Sequence, residues 1–338
     1  MKTTIIILFV IGFLLTSTFS LNDAYAAVDT WTDATTTNVD STDMWGVSMS
    51  DASNGVAVGN SGQIVYTTNG GVDWTDATTT NVDSIAMRDV SMSDASNGVA
   101  VGNSGEIVFT TNGGVDWTDA TTTNVGSAVM YGVSMSDASN GVAVGSSGQI
   151  VFTTNGGVDW TDATTTNVGS ATMRSVSMSD ASNGVAVGNS GQIVYTTNGG
   201  VDWTDATTTN VDSIAMRDVS MSDASNGVAV GNSGEIVFTT NGGVDWTDAT
   251  TTNVDATHMW GVSMSDASNG VAVGNSGTIV FTTNGGVVWT DATTTNVGST
   301  KMYGVSMSDA SNGVAVGSSV AEGSGQIVFT TNGGVVWT

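Results

Sequence analysis

The chain has 338 residues and a formal net charge of −26, with 31 acidic and only five basic side chains. That balance excludes nucleic acid as a partner, because phosphate binding rests on clustered cations. Cysteine and proline are both absent, so no disulfide contributes and stability rests on packing and on uninterrupted backbone pairing.

In chain order, Lys2, the apolar run Ile5 to Leu15 and the small-x-small site Ala24-Tyr25-Ala26 read as a secretory signal peptide over residues 1–26. The apolar run rises only about 16 Å as a helix, roughly half a bilayer core, which disfavours an anchor. No later segment is apolar enough to span. The expected mature protein is one domain over residues 27–338, secreted or cell-surface, not membrane-spanning, and monomeric.

Repetition then sets the architecture. Trp31, Trp74, Trp117, Trp160, Trp203, Trp246 and Trp289 recur every 43 residues, and Trp337 follows after 48 because Val320-Ala321-Glu322-Gly323-Ser324 is inserted. Within one unit, Trp74–Thr79, Met87–Met92, Gly98–Val101 and Glu106–Thr110 carry strand composition and are separated by turn-forming Asn, Asp, Ser and Gly. No 3.6-residue apolar period appears, so no helix is expected.

Four strands in about 43 residues make a propeller blade, and the expected fold is an all-β, seven-bladed β-propeller of four-stranded antiparallel blades. The chain opens on Trp31–Thr36, an outer strand, and stops at Trp337-Thr338, where such a strand begins. This complementarity predicts a ring closed by the N-terminal strand, against a linear solenoid with capping repeats.

Each unit also holds a Thr-Thr-Asn-Gly-Gly-Val-Asp/Val-Trp segment, as at Thr67–Trp74. It resembles the Asp-box (BNR) repeat, with Asn where the box usually has Asp. Asn69 is expected to bond backbone two residues on, Gly71 to take positive φ, and Trp74 to fold against the blade. The later copies are Asn112, Gly114, Trp117; Asn155, Gly157, Trp160; Asn198, Gly200, Trp203; Asn241, Gly243, Trp246; Asn284, Gly286, Trp289; and Asn332, Gly334, Trp337. The resemblance implies a structural role for these residues, away from any ligand face. The longer run Asp89 to Phe109 is similar to blades of the photosystem II assembly-factor-like propellers. That likeness implies a scaffold aiding assembly of a membrane complex, although such propellers also include sialidases and receptors.

Departures from the repeat are the functional signal. With the segments Met87–Met92 and Gly98–Val101 and their counterparts labelled strands a and b, the residue after the first Met of strand a is Trp45, Arg88, Tyr131, Arg174, Arg217, Trp260 and Tyr303 in successive blades, and this position holds all three arginines. The loop before it and the loop after strand b, with Gln63, Glu106, Gln149, Gln192, Glu235 and Thr278, vary on the same face. This ring is the candidate ligand-binding site, able to stack planar groups and pair with a carboxylate. The competing reading is that Trp45, sharing parity with Val47 and Met49, fills the gap between blades.

The opposite face repeats Asp51, Asp94, Asp137, Asp180, Asp223, Asp266 and Asp309. Calcium is the cation these suit, but Asp94-Ala95-Ser96-Asn97-Gly98 lacks alternating ligands and a terminal Glu, so an Asx turn is favoured and no cofactor or metal is expected. Lone His258 has no Cys or His partner for a metal site and reads as a solvated loop residue. Catalysis is disfavoured because blades 2 and 5 (Asn81 to Thr123, Asn210 to Thr252) are identical, which conflicts with unique catalytic roles. The reading is therefore a non-enzymatic scaffold for a protein or glycan ligand. A sialidase-like hydrolase and a structural surface or matrix protein are the alternatives.

Overall fold

The computed structural model describes residues 34–36, 43–79, 82, 84–122, 125–165, 168–208, 211, 213–251, 254, 257–294, 297–318 and 325–338. The expected signal peptide, Trp31 and the insertion Val320 to Ser324 lie outside the described residues. The rest is a seven-bladed β-propeller.

Blade 2 shows the unit, with strand a at Met87–Met92, b at Gly98–Gly102, c at Ile107–Thr110 and d at Thr118–Asp119, all antiparallel. The Gly-Asn-Ser-Gly separator between b and c, turn-forming by composition, holds a short 3-10 turn, Asn103–Gly105. Strand b is Gly-Val-Ala-Val-Gly in every blade and is buried end to end in blades 1 to 6, the composition of a strand covered on both faces.

Those faces are covered by the next blade. Val56, Val58 and Ile64 of blade 1 pack on Val90, Ala100, Val108 and Trp117 of blade 2, and five further clusters repeat this through blades 6 and 7. A serine hydroxyl reinforces each of these six junctions: Ser48 Oγ accepts from Met92 N–H at 3.0 Å, and so on to Ser263 and Met307. On blade 1 the remaining face, Ala57, Val65 and Trp74, is covered by Ala34, while Val314, Val316 and Ile327 of blade 7 are half-buried.

The outer strand differs from the sequence reading. Trp74–Thr79 is not one strand: Asp73–Asp76 pairs within blade 1, and Thr78 then crosses to bridge Asp116 of blade 2 in parallel. The same hand-off joins Thr121-Thr122 to Asp159-Trp160, Thr164-Thr165 to Asp202-Trp203, and Thr293-Thr294 to Val336-Trp337. The N-terminal strand, Thr35-Thr36, takes this strap position on blade 1 against Asp73-Trp74. Sequence reasoning places it on blade 7. There Thr338 instead pairs with Phe329 of its own blade, so the chain's ends divide one outer strand and its strap between two blades.

The Thr67–Trp74 turn is closed by three bonds. Thr67 Oγ1 accepts from Gly71 N–H at 2.9 Å, Asn69 Oδ1 accepts from Asp73 N–H at 2.9 Å, and the Trp74 indole donates to Gly71 O at 3.0 Å. Asn69 therefore bonds backbone four residues on, not two. Gly71 has φ of 84° as expected. In the next copy a Cβ on Gly114 would lie 2.5 Å from Val56 Cγ2, so glycine is needed for close approach to the preceding blade.

In the first five turns the Asn amide also donates to an Asp, as from Asn112 to Asp116 Oδ2 at 2.8 Å, whereas the last two have Val288 and Val336 there. Asn112→Asp would therefore set two carboxylates in contact and is expected to cost roughly 1 kcal/mol at neutral pH. Asn284→Asp, beside Val288, should be close to neutral. Thermal melts of the two variants giving equal losses would refute this account.

Candidate functional site

The seven variable residues share one backbone feature. In every blade strand a is bulged at that point: pairing passes from Met44↔Gly59 to Gly46↔Val58, leaving Trp45 without a partner, and likewise for Arg88, Tyr131, Arg174, Arg217, Trp260 and Tyr303. A bulge resets side-chain parity. Met44 therefore joins Val47 and Met49 in the apolar cluster of blade 1, and Trp45 does not. None of the seven belongs to an apolar cluster between blades.

They meet one another instead. The Arg88 guanidinium lies 4.3 Å from the Trp45 ring centre, Arg174 lies 5.7 Å from Tyr131, and Arg217 lies 4.8 Å from Trp260. Trp260 continues to Tyr303 at 5.9 Å and to His258 at 6.2 Å. Trp45 and Tyr303 are 48% and 47% exposed, so the rim offers aromatic surface as well as charge. Apart from Lys2, the only other cation, Lys301, begins strand a of blade 7 beside this rim.

Residues that sequence reasoning passed over fix the rim. Arg88, Arg174 and Arg217 each donate from Nε to an Asn in the turn after strand b, Asn103, Asn189 and Asn232, at 2.8 to 2.9 Å. The Trp260 indole donates to Asn275 at 2.8 Å in the same way. Where the bulge holds Tyr131 or Tyr303, the turn position is Ser146 or Ser318. An internal signal was available: Asn accompanies Arg or Trp, and Ser accompanies Tyr, across the seven copies. With Nε engaged, each guanidinium keeps its terminal nitrogens for a ligand.

The turns carrying these asparagines lie with the loops before strand a, as in the bond from Gly191 N–H to Ile214 O at 2.6 Å, so the variable elements do share a face. Next to the turn, Gln63 and Gln149 donate to Asp76 and Asp162 at 3.0 and 3.1 Å. Blades 2 and 5 have Glu106 and Glu235 at this place. Burial and the neighbouring Asp119 and Asp248 carboxylates push both glutamates up, Glu235 to about 7.

Two further carboxylates stand one residue after the bulge, where other blades have Gly46, Gly132, Ser175, Gly261 and Gly304. Asp89 accepts from Val133 N–H at 2.9 Å, and Asp218 accepts from Val262 N–H at 3.0 Å and from the Ser175 hydroxyl at 2.8 Å. Desolvation raises both against these bonds, Asp89 to about 7 with added repulsion from Asp218. On the opposite face, Asp51 is held below its ordinary value by the Asn54 amide and the Ser53 and Asn54 N–H groups, and its counterparts repeat this Asx turn. Among the described residues, no three His, Cys, Asp or Glu side chains group as metal ligands.

Residues 119–210, which span blades 3 and 4, match the family model described as Photosynthesis system II assembly factor YCF48. The chain resembles the YCF48 propellers. YCF48 from Cyanidioschyzon merolae aligns with TM-score 0.63 and 18% identity over 86% of this chain and 95% of that one. YCF48 bound to a D1 peptide gives 0.66 and 17% over 86% and 92%. A catalytically inactive virginiamycin B lyase from Staphylococcus aureus with quinupristin gives 0.67 and 13% over 86% and 95%. At these identities the likenesses establish the fold, which YCF48 shares with enzymes. No curated protein sequence matches.

The raised carboxylate of Asp89, at about 7 against 3.8 unperturbed, makes the folded state hold its proton more tightly than the unfolded chain. Its stabilising share is complete below about pH 4 and is lost as pH rises towards 7. Asp89→Asn keeps the acceptor for Val133 and removes this loss. The variant is expected to gain roughly 1–3 kcal/mol over the parent at pH 8 and nothing at pH 4. Denaturant unfolding across that range checks it, and a constant difference would sink it.

Proposed function

We propose that this chain is an exported, non-enzymatic propeller scaffold that seats an acidic segment of a partner protein on the Arg and aromatic rim, assisting assembly of a membrane or surface complex. One observation carries the reading: in a molecule of net charge −26, the three arginines converge on one rim, each backed by an aromatic ring, and three asparagines hold their Nε groups. Pre-placed guanidiniums lose little freedom on pairing with a carboxylate, which makes them effective anchors. The solved YCF48 structure with a D1 peptide supports a peptide ligand on this fold.

A non-enzymatic role is favoured because blades 2 and 5 duplicate the same Arg, Asp and Glu set, whereas acid–base chemistry needs two carboxylates in different environments. Exposed Trp45 and Tyr303 favour a glycan as the second ligand class, through ring stacking.

The test is a screen of the mature protein against acidic and neutral peptide arrays and a glycan array, followed by titration calorimetry at low and high salt. Replacing Arg88, Arg174 and Arg217 by Ala is expected to weaken an acidic peptide at least about tenfold and to flatten its salt dependence, with the melting temperature almost unchanged. Peptide binding that survives the triple replacement would overturn the assignment, and glycan-only binding would favour the second class.

A further inference from the structure

Six junctions of one pattern join blades 1 to 7, and the two end faces that would make a seventh stay apart. Three observations mark the gap. At the bulge, a Cβ added to Gly46, Gly132 or Gly261 would meet strand a of the following blade at 3.0 to 3.2 Å, whereas one on Gly304 of blade 7 would meet only Val316 of its own blade, at 3.6 Å. The serine bond of each junction, as from Met307 N–H to Ser263 Oγ at 3.0 Å, has no counterpart between Met49 and Ser306 among the described residues. Side chains lose cover to match: Met87, Met302, Val271 and Val273 are fully buried, but Met44 and Val47 of blade 1 and Val314 and Val316 of blade 7 are half-buried. Trp45 and Tyr303, which flank these two faces, are exposed, while the other five rim residues are half-buried.

We propose that the blade 7 face of one molecule docks on the blade 1 face of a second copy, so that the chain associates head to tail instead of remaining the monomer expected from its sequence. The fit recurs six times within the chain. At each internal junction two valines and an isoleucine, such as Val56, Val58 and Ile64, pack on the Met, Val, Ala and Trp side chains of the following blade. Blade 7 offers Val314, Val316 and Ile327 in that pattern, and blade 1 offers Met44, Val47, Ala57, Val65 and Trp74. Ser306 and Met49 supply the hydroxyl and the N–H of the recurring bond.

Closing the gap within one molecule would require the angle between blades to change across the six junctions, each of which is fixed by close-packed side chains. A second copy needs no such change, because it repeats the junction already present. The interface is heterologous, one surface against a different one, so association continues past two copies unless it closes into a larger ring. Strand a of blade 7 then lies beside strand a of the next copy's blade 1, which carries the rim from Tyr303 on to another Trp45. The side chains concerned are apolar, so salt that screens the repulsion between two chains of charge −26 strengthens the contact. Anion binding at the rim has the opposite salt dependence, and the association does not rest on the function proposed above.

The experiment follows the mass of the mature protein by sedimentation and light scattering as protein and salt concentrations rise. The weight-average mass is expected to at least double from that of a single chain, and to do so at lower protein concentration in high salt. Two variants give the contact its direction: Val316→Lys sets a charge on the blade 7 face and Val47→Lys sets one on the blade 1 face, both at half-buried positions. Each alone is expected to keep the mass of one chain. Their mixture should form a dimer and nothing larger, because each supplies the face that the other has lost. A parent chain of single-chain mass under every condition would overturn the proposal in favour of closure within the molecule. Variants that still associate alone, or a mixture that stays monomeric, would overturn the head-to-tail pairing, and the parent's mass decides the matter if either variant fails to fold.

Discussion

The hand-off of backbone from one blade to the next is the constraint on which the rest depends. A four-stranded sheet this small cannot bury both of its faces alone, so each blade becomes stable only against neighbours. After Asp76 the chain leaves its own sheet and pairs Thr78 with Asp116, which holds Trp117 in register between blades 1 and 2. Burying one such indole is worth about 2–3 kcal/mol, and the parallel strap covers the edge that would otherwise recruit a foreign strand. Ionic pairing contributes little to this arrangement, because a chain with five basic residues has almost nothing to pair with its carboxylates.

Uniform interfaces leave one place free to vary. A bulged residue makes no ladder bond and enters no apolar cluster, so Trp, Arg and Tyr exchange there without disturbing either. The turn residue changes with the bulged one: Asn103 accepts from Arg88, whereas Ser146 accepts from Val129 N–H. Diversity is thereby concentrated on one rim, while Val, Ala and Gly in strand b stay constant to preserve the packing.

The ring of four-stranded blades was legible because its causes are periodic: a tryptophan every 43 residues, alternation within strands, and Gly with Asn at the turns. The bulge was not legible. Parity counting across Met44, Trp45 and Val47 assumes an unbroken pleat, and one unpaired residue has no composition of its own. The strap was hidden for a related reason, since Trp-Thr-Asp-Ala-Thr-Thr has uniform strand propensity and only its partner reveals where one sheet ends. The Asn69 bond to Asp73 was misassigned because two consecutive positive-φ glycines, Gly70 and Gly71, lengthen the turn beyond the usual Asx geometry.

Charge placement sets this rim apart from the rest of an acidic surface. Carboxylates on the far face are held ionised by their Asx turns, and at physiological ionic strength their field decays over about 8 Å. A ligand at the rim therefore feels chiefly the nearest groups, Arg88, Arg174, Arg217 and Lys301, together with the carboxyls of Asp89, Asp218, Glu106 and Glu235. Burial raises all four of those acids above their ordinary values, the opposite of Asp51 and its counterparts. Burial that raises the nearest acids above their ordinary values works in favour of the four cations in a molecule of charge −26. The same arrangement makes the local potential depend on a handful of protons, and the Asp89 proton bears on the fold as well, because that carboxyl is buried against Val133 N–H of the next blade.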